Sequence, residues 1–284
     1  MIEAILNYEL LRNTFTTGLL VGLIAPLLGA FIVVRRQALI ADGLSHVTLA
    51  GIAFGMFLQK QSPVVMLTPF HFGMIFSVAG AIVIEKLRSV YQGFQEIAIP
   101  IIHSLGVGLA IIFIALANGI NTDIFTYLFG SVAAISRKDL ILISITAVVV
   151  VIFVFILYKK LLALSFDEEF ARVSGIRART VHYVFVILVA LVIAASIRIV
   201  GVLLVSALMT LPVATSMRVA KSFKQTIWYS ILYGEAAVII GLVSGYYLEI
   251  PPGGTIVMTA SILLGLTLLV KTINESGKRG GERS

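Results

Sequence analysis

An all-α fold, a polytopic bundle of eight to nine membrane-spanning helices forming a single domain over residues 1–284, is what the sequence predicts, on three observations. Of its 284 residues 59% are hydrophobic and 12% charged, whereas a soluble domain carries about a quarter charged residues. Apolar runs of about twenty residues, each long enough to cross a hydrocarbon layer of ~30 Å, recur along the whole chain. The polar stretches between them are too short to hold a separate soluble domain.

Taken in order, the apolar runs between charged or Pro/Gly breaks place spans near 14–34, 39–58, 64–84, 98–117, 139–158, 180–197, 199–217, 227–247 and 254–270. Ahead of the first, Glu3 and Glu9 stand where a cleavable signal would carry basic residues. Ile2, Ile5, Leu6 and Leu10 fall near helical spacing, as in a segment lying along the interface. Small residues four apart (Gly18 and Gly22, Gly51 and Gly55, Gly241 and Gly245) let helix backbones approach closely, either within one subunit or at a dimer seam. The stretch 180–217 is broken only by "SIRIVG", so the count stands at eight or nine. Pro212, inside "SALMTLPVATS", is expected to break or kink its span, as a plain bend or beside a transport path. Residues 274–284, "NESGKRGGERS", read as a flexible cytoplasmic tail.

Basic residues set the expected orientation. With the N-terminus outside and an odd number of spans, 16 of the 21 lysines and arginines face the cytoplasm. The outer side keeps the other five: Arg12, Lys60, Arg137, Lys138 and Arg198. That asymmetry is the positive-inside pattern, and it accounts for the net charge of +7 without a nucleic-acid partner. There is no cysteine, which excludes disulfides and thiolate metal sites. Neither a His-Glu-x-x-His pair nor a Gly-x-x-x-x-Gly-Lys-Ser/Thr loop occurs, so the chain is read as neither a zinc metalloprotease nor an ATPase. Uphill transport by such a chain draws on an ion gradient or on a separate ATPase.

Asp42 and His46 are the leading site candidates. Spacing of i and i+4 stacks them on one helix face, and a carboxylate at bilayer depth costs on the order of 3 kcal/mol unless it faces a cavity or a partner. Carboxylate oxygen with imidazole nitrogen is a donor set for zinc or manganese more than for magnesium or calcium. The plainer alternative makes Asp42 a helix cap just past Arg35 and Arg36, and His46 an inter-helix hydrogen-bond donor. Glu235, in "YGEAAVIIG", is the other acid well inside a span, either on a cation path or paired with a buried donor. His71, His103 and His182 lie near span ends and read as packing or interfacial hydrogen-bonding groups.

In "LSFDEEFARVSGIRART" Ser165 and Glu168 have capping-box spacing, with Asp167, Glu168 and Glu169 in the first turn. Phe166, Phe170 and Val173 make one apolar stripe and Gly175 is a helix stop, so a helix of about ten residues is expected. It packs on its own bundle or on lipid, or it docks a cytoplasmic partner.

Several stretches together resemble one family. "GLLVGLIAPLLGAFIVVRRQALIADGLSHVTLAGIAFG" is similar to the arginine-pair and Gly-Asp-Ala-Leu-Ser-His signature of the membrane permeases of bacterial zinc/manganese/iron ABC importers, the ABC-3 family. Further matches are "YLFGSV" at 127–132, "FDEEFARVSGI" at 166–176, "VGVLLVSALMTLP" at 200–212 and "EIPPGGTIV" at 249–257. Ala41 replaces the usual glycine before the aspartate, and Ala50 stands where proline is common. The resemblance implies a homodimeric, type II importer-like permease in the bacterial cell membrane. Its partners would be cytoplasmic ABC ATPase subunits and an extracellular or periplasmic metal-binding protein, with membrane lipid around it. It implies Zn2+ or Mn2+ as cargo, with no permanent cofactor and no catalysis by this chain. The family's path residues map onto Asp42 and His46, with Glu235 a further candidate. Its cytoplasmic coupling helix falls at 165–176, on Phe166, Asp167, Glu168, Phe170, Ala171 and Gly175. Zinc is favoured because "YLFGSV" is most similar to the Gram-positive zinc branch. An ion-coupled secondary metal carrier using Asp42 and Glu235, and an ABC permease for a metal chelate, are the alternatives.

Overall fold

The computed structural model describes residues 7–62, 67–91, 93–117, 119, 122–131 and 135–281. Ile2, Ile5 and Leu6 of the expected interfacial segment lie outside them. The elements are α1 (Glu9–Val34), α2 (Leu39–Gln61), α3 (Pro69–Val90), a short 3-10 turn (Gln95–Ile97), α4 (Ala98–Leu116), α5 (Thr122–Phe129), α6 (Arg137–Phe166), α7 (Glu168–Val173), α8 (Ala178–Val200), α9 (Val205–Val219), α10 (Phe223–Leu248) and α11 (Pro252–Gly281). Eight of these are long and apolar enough to cross a membrane: α1, α2, α3, α4, α6, α8, α10 and α11.

Polar residues at the helix ends define two ends of the bundle. At one, Arg35 after α1 donates from Nε to Ser165 Oγ near the end of α6 (3.1 Å) and from Nη1 to His182 Nδ1 near the start of α8 (2.8 Å). At the other, Lys60 Nζ donates to the Leu116 carbonyl (3.1 Å), and Arg198 at the end of α8 pairs with Asp139 at the start of α6. Between them α1, α2 and α8 are the most buried helices. Phe31 of α1 meets Tyr158, Phe185 and Phe223 edge to face, tying α1 to α6, α8 and the start of α10. The outward face of α6 leaves Ile145, Val149, Ile152, Phe155 and Ile156 exposed, as a lipid-facing surface requires.

The small-residue pairs work inside the chain. Gly51 and Gly55 of α2 back onto Phe72, Phe76 and Pro69 of α3, Gly18 and Gly22 onto Val238, Leu242 and Glu235 of α10, and Gly241 onto the Ile256 backbone of α11. Close backbone approach gives van der Waals contact that lipid tails do not supply.

Three of the family-like stretches converge on one backbone crossing at the Lys60 end. Gly130 closes α5 at φ +80, Gly201 closes α8 at φ +85, and Gly253 lies in the first turn of α11. A Cβ at each would collide with a carbonyl oxygen, of Ile199, Leu128 and Val200 respectively. Val202 N–H donates to the Tyr127 carbonyl (2.9 Å) and Ser131 N–H to that of Arg198 (3.2 Å), so the crossing pairs its own backbone groups.

The crossing also alters several expectations. Gly201 ends α8, and the turn that follows delays α9 to Val205. At fifteen residues α9 spans about 22 Å, too short for a ~30 Å layer, so eight helices and not nine have full length. Helix α5 lies between the spans expected at 98–117 and 139–158, where no element is assigned from the sequence; eight residues carry too little periodicity to register as a helix. Pro212 does not break α9, which runs through it at the cost of one backbone hydrogen bond. Helix α11 runs from Pro252 to Gly281.

Candidate functional site

Helix α2 begins after a tight reversal in which Arg36 takes the left-handed conformation (φ +57). No side chain caps its first turn, Asp42 included. The Asp42 carboxylate points sideways instead. Its Oδ1 lies 4.0 Å from His46 Nε2, one turn on, and its Oδ2 lies 3.3 Å from His103 Nε2 on α4. The two imidazoles meet edge to face with centroids 4.6 Å apart. One ligand atom from each of Asp42, His46 and His103 falls within 4.8 Å of the others.

Gly106 makes this possible. A Cβ there would stand 2.8 Å from Val47 N and 3.0 Å from the His46 carbonyl carbon, so α4 lies directly against the α2 backbone. His103, one turn earlier on α4, is thereby brought level with His46. The cluster is half-open: the side chains of His46, Asp42 and His103 are 17%, 39% and 37% exposed. One carboxylate oxygen and two imidazole nitrogens, which ligate only when unprotonated, offer three donors and leave coordination positions free, as in metal sites that exchange their ligands.

His103 is the residue that sequence reasoning placed elsewhere. It is more than fifty positions from Asp42, and the one local signal is a glycine three residues on in an apolar helix. Glu235 does not join the cluster. It faces α1, with its carboxylate against Gly22, because α10 packs on α1 and α9 and not on α2 or α4. Among the described residues this is the one group of three or more such side chains close enough to share an ion.

The second expected element lies at the Arg35 end. Asp167, in extended conformation (φ −151), caps α7 by accepting from the Phe170 N–H (2.8 Å). The cap is therefore Asp167 and not Ser165. Ser165 is still in the last turn of α6, donating to the Leu161 carbonyl (2.7 Å) while accepting from Arg35. The helix is six residues long, shorter than the ten expected, because α6 runs on through Phe166. Gly175 at φ +78 stops it, with Ile176 N–H bonded to the Ala171 carbonyl (3.1 Å) and Gly175 N–H to that of Arg172 (3.1 Å). Ala171 is buried against the bundle, while Phe166, Phe170 and Val173 are 65%, 64% and 90% exposed.

Fold and site define a class: a multi-pass helical membrane protein with a carboxylate–imidazole cluster between its helices. Residues 7–271 match the ABC 3 transport family, and the chain belongs to it. A protein of Treponema pallidum described as a metal transport system membrane protein is 34% identical over 96% of this chain and 98% of its own length. The manganese transport system membrane protein MntC of Listeria innocua is 30% identical over 94% and 93%. The high-affinity zinc uptake system membrane protein ZnuB of Haemophilus influenzae is also 30% identical, over 92% and 97%. The solved structure of PsaBC from Streptococcus pneumoniae in complex with Fab superposes with a TM-score of 0.80 at 30% identity, covering 94% of this chain and 93% of that one.

Proposed function

We propose that this chain is the membrane-spanning subunit of an ATP-driven importer of a divalent transition metal, with zinc as the cargo. The observation that carries the reading is the meeting of Asp42, His46 and His103. A charged carboxylate between membrane helices is costly unless it serves a cation or a partner. Here it faces two imidazoles, which are ligands only while unprotonated. Three donors offset part of an ion's dehydration. They do not close a tetrahedral shell, so the ion is free to leave. Two nitrogens to one oxygen favour zinc over manganese, which takes oxygen-rich sites.

In this reading two copies of the chain form a symmetric dimer around the path and bring two such clusters to it. An ATPase subunit docks on the exposed Phe170 of α7 and Phe166 at the end of α6. An external metal-binding protein delivers the ion at the Lys60 end, taken as the outer one because the excess of basic residues at the Arg35 end supports a cytoplasmic position for that end.

The test is metal accumulation, measured by elemental mass spectrometry in cells dependent on this importer. Asp42→Asn, His46→Ala and His103→Ala should each abolish zinc uptake at unchanged membrane levels and dimer assembly. In vesicles clamped at equal pH on both sides, wild-type uptake should fall on acidification, since a protonated imidazole cannot ligate. Normal zinc uptake by all three variants refutes the reading, and loss of manganese with zinc unaffected refutes the choice of cargo.

A further inference from the structure

The Arg35 end holds a recess of about 890 Å³ between the ends of α1, α3, α6 and α8, beside α7. Five arginines line it: Arg35 and Arg88, which are partly buried, and Arg172, Arg177 and Arg179, which are exposed. Among the described residues its one carboxylate is that of Glu85, and that group is already engaged. Arg88 Nη1 donates to Glu85 Oε1 (3.1 Å), and His182 Nε2 lies 3.0 Å from the same oxygen. His182 lies 2.8 Å from Arg35 Nη1 through Nδ1 and 2.7 Å from Arg88 Nη1 through Nε2. It holds Arg35 and Glu85 in place on the inner wall, where Arg35 also stacks 5.1 Å from the Phe185 ring centroid. Ser165, Gln95, Leu164, Phe166 and Tyr183 also line it, so polar groups stand beside apolar surface.

We propose that this recess binds a phosphate-bearing anion, with the headgroup of an acidic phospholipid as its source. Guanidinium forks match phosphate oxygens in geometry and charge. Phosphate headgroups stand at the ends of membrane helices, and basic pockets between such ends take acidic lipids. The volume exceeds that of a bare phosphate and leaves room for glycerol against Leu164 and Tyr183. A protein partner could reach the exposed Arg172, Arg177 and Arg179, but it would have to thread a side chain between helix ends to reach Arg35 and Arg88 as well. The site is distinct from the Asp42 cluster and does not depend on what that cluster carries. Since Phe166 and Arg172 belong to its wall, an occupied recess also braces α7.

Full-length protein, purified in mild detergent and stripped of lipid, is titrated with phosphatidylglycerol and with phosphatidylcholine, and bound lipid is counted by native mass spectrometry. A third arm adds inorganic phosphate as competitor. The wild type should take up phosphatidylglycerol saturably and phosphatidylcholine weakly. Arg177→Gln with Arg179→Gln, on the rim and outside the Arg35–His182–Glu85 contacts, should weaken phosphatidylglycerol binding about tenfold. Should that pair unfold the protein, as judged by its thermal midpoint without lipid, Arg172→Gln alone replaces it and should weaken binding severalfold. Competition by millimolar phosphate supports the anion site and assigns it a soluble source. Equal binding of the two lipids by wild type, or full phosphatidylglycerol affinity in folded rim variants, overturns the proposal and leaves the arginines to acidic side chains of a protein partner.

Discussion

Gly106 shows how one residue with no side chain builds a site it does not belong to. Its missing Cβ lets α4 rest on the α2 backbone at Val47 N, and that contact sets His103 beside Asp42. Gly106→Ala must push the two helices apart, since the obstacle is main chain and cannot rotate away. Strain of this kind costs about 1–3 kcal/mol, and the His103–Asp42 approach lengthens with it. The variant should unfold at lower temperature and take up less zinc. Gly108 is the control: a Cβ there meets nothing within 4 Å, so Gly108→Ala should leave both readouts unchanged. Equal behaviour of the two variants would remove Gly106 from the account. The Asp42–His46 half of the cluster was legible from i, i+4 spacing alone. The His103 half was not, because packing and not sequence proximity brings it in.

At the scale of the element, α7 is held by three local features: the Asp167 cap, the buried Ala171 and the Gly175 stop. A six-residue helix does not persist on its own strength, since nucleating a helix is costly. The cap is worth about 1 kcal/mol, and the contact of Ala171 with the bundle adds to it. Phe170 of α7 and Phe166, the last residue of α6, stay mostly exposed, Phe166 with one contact edge to face on Phe223. Burying two phenylalanines contributes roughly 3–6 kcal/mol, enough to dominate a modest interface. Phe166→Ala with Phe170→Ala should therefore release the ATPase from the purified membrane complex, while the permease keeps its thermal midpoint. Co-purification of a full complement of ATPase would show that docking lies elsewhere. The apolar stripe and the glycine stop were readable in advance. The cap was displaced from Ser165 to Asp167 because α6 outlasts its expected end and uses Ser165 inside its own last turn.

Across the whole molecule, basic residues gather at the Arg35 end and thin out at the Lys60 end, and the chain has no cysteine to complicate labelling. Cysteines placed at Lys60 and Glu249, both exposed, should react with an impermeant maleimide added to intact cells. One at Ser174, just after α7 and also exposed, should react only after the membrane is opened. The reverse pattern would invert the bundle and move α7 away from any cytoplasmic ATPase.

Composition and hydropathy by themselves determined that this is a membrane bundle, roughly where its helices lie, and which end carries the charge. Those properties are sums over local segments, and lipid imposes them on each helix separately. The i, i+4 pair Asp42 and His46 and the apolar stripe of α7 are local features of the same kind, while the roles expected of them came from the family resemblance. The tertiary structure alone decided the third member of the cluster, the exclusion of Glu235, the shortness of α9 and the presence of α5. Each depends on how closely two backbones approach: at Gly106 for His103, at Gly22 for Glu235, and at the crossing of Gly130, Gly201 and Gly253 for α5 and α9. A glycine announces only that close approach is permitted; which backbone arrives there is settled by the packing of the other helices.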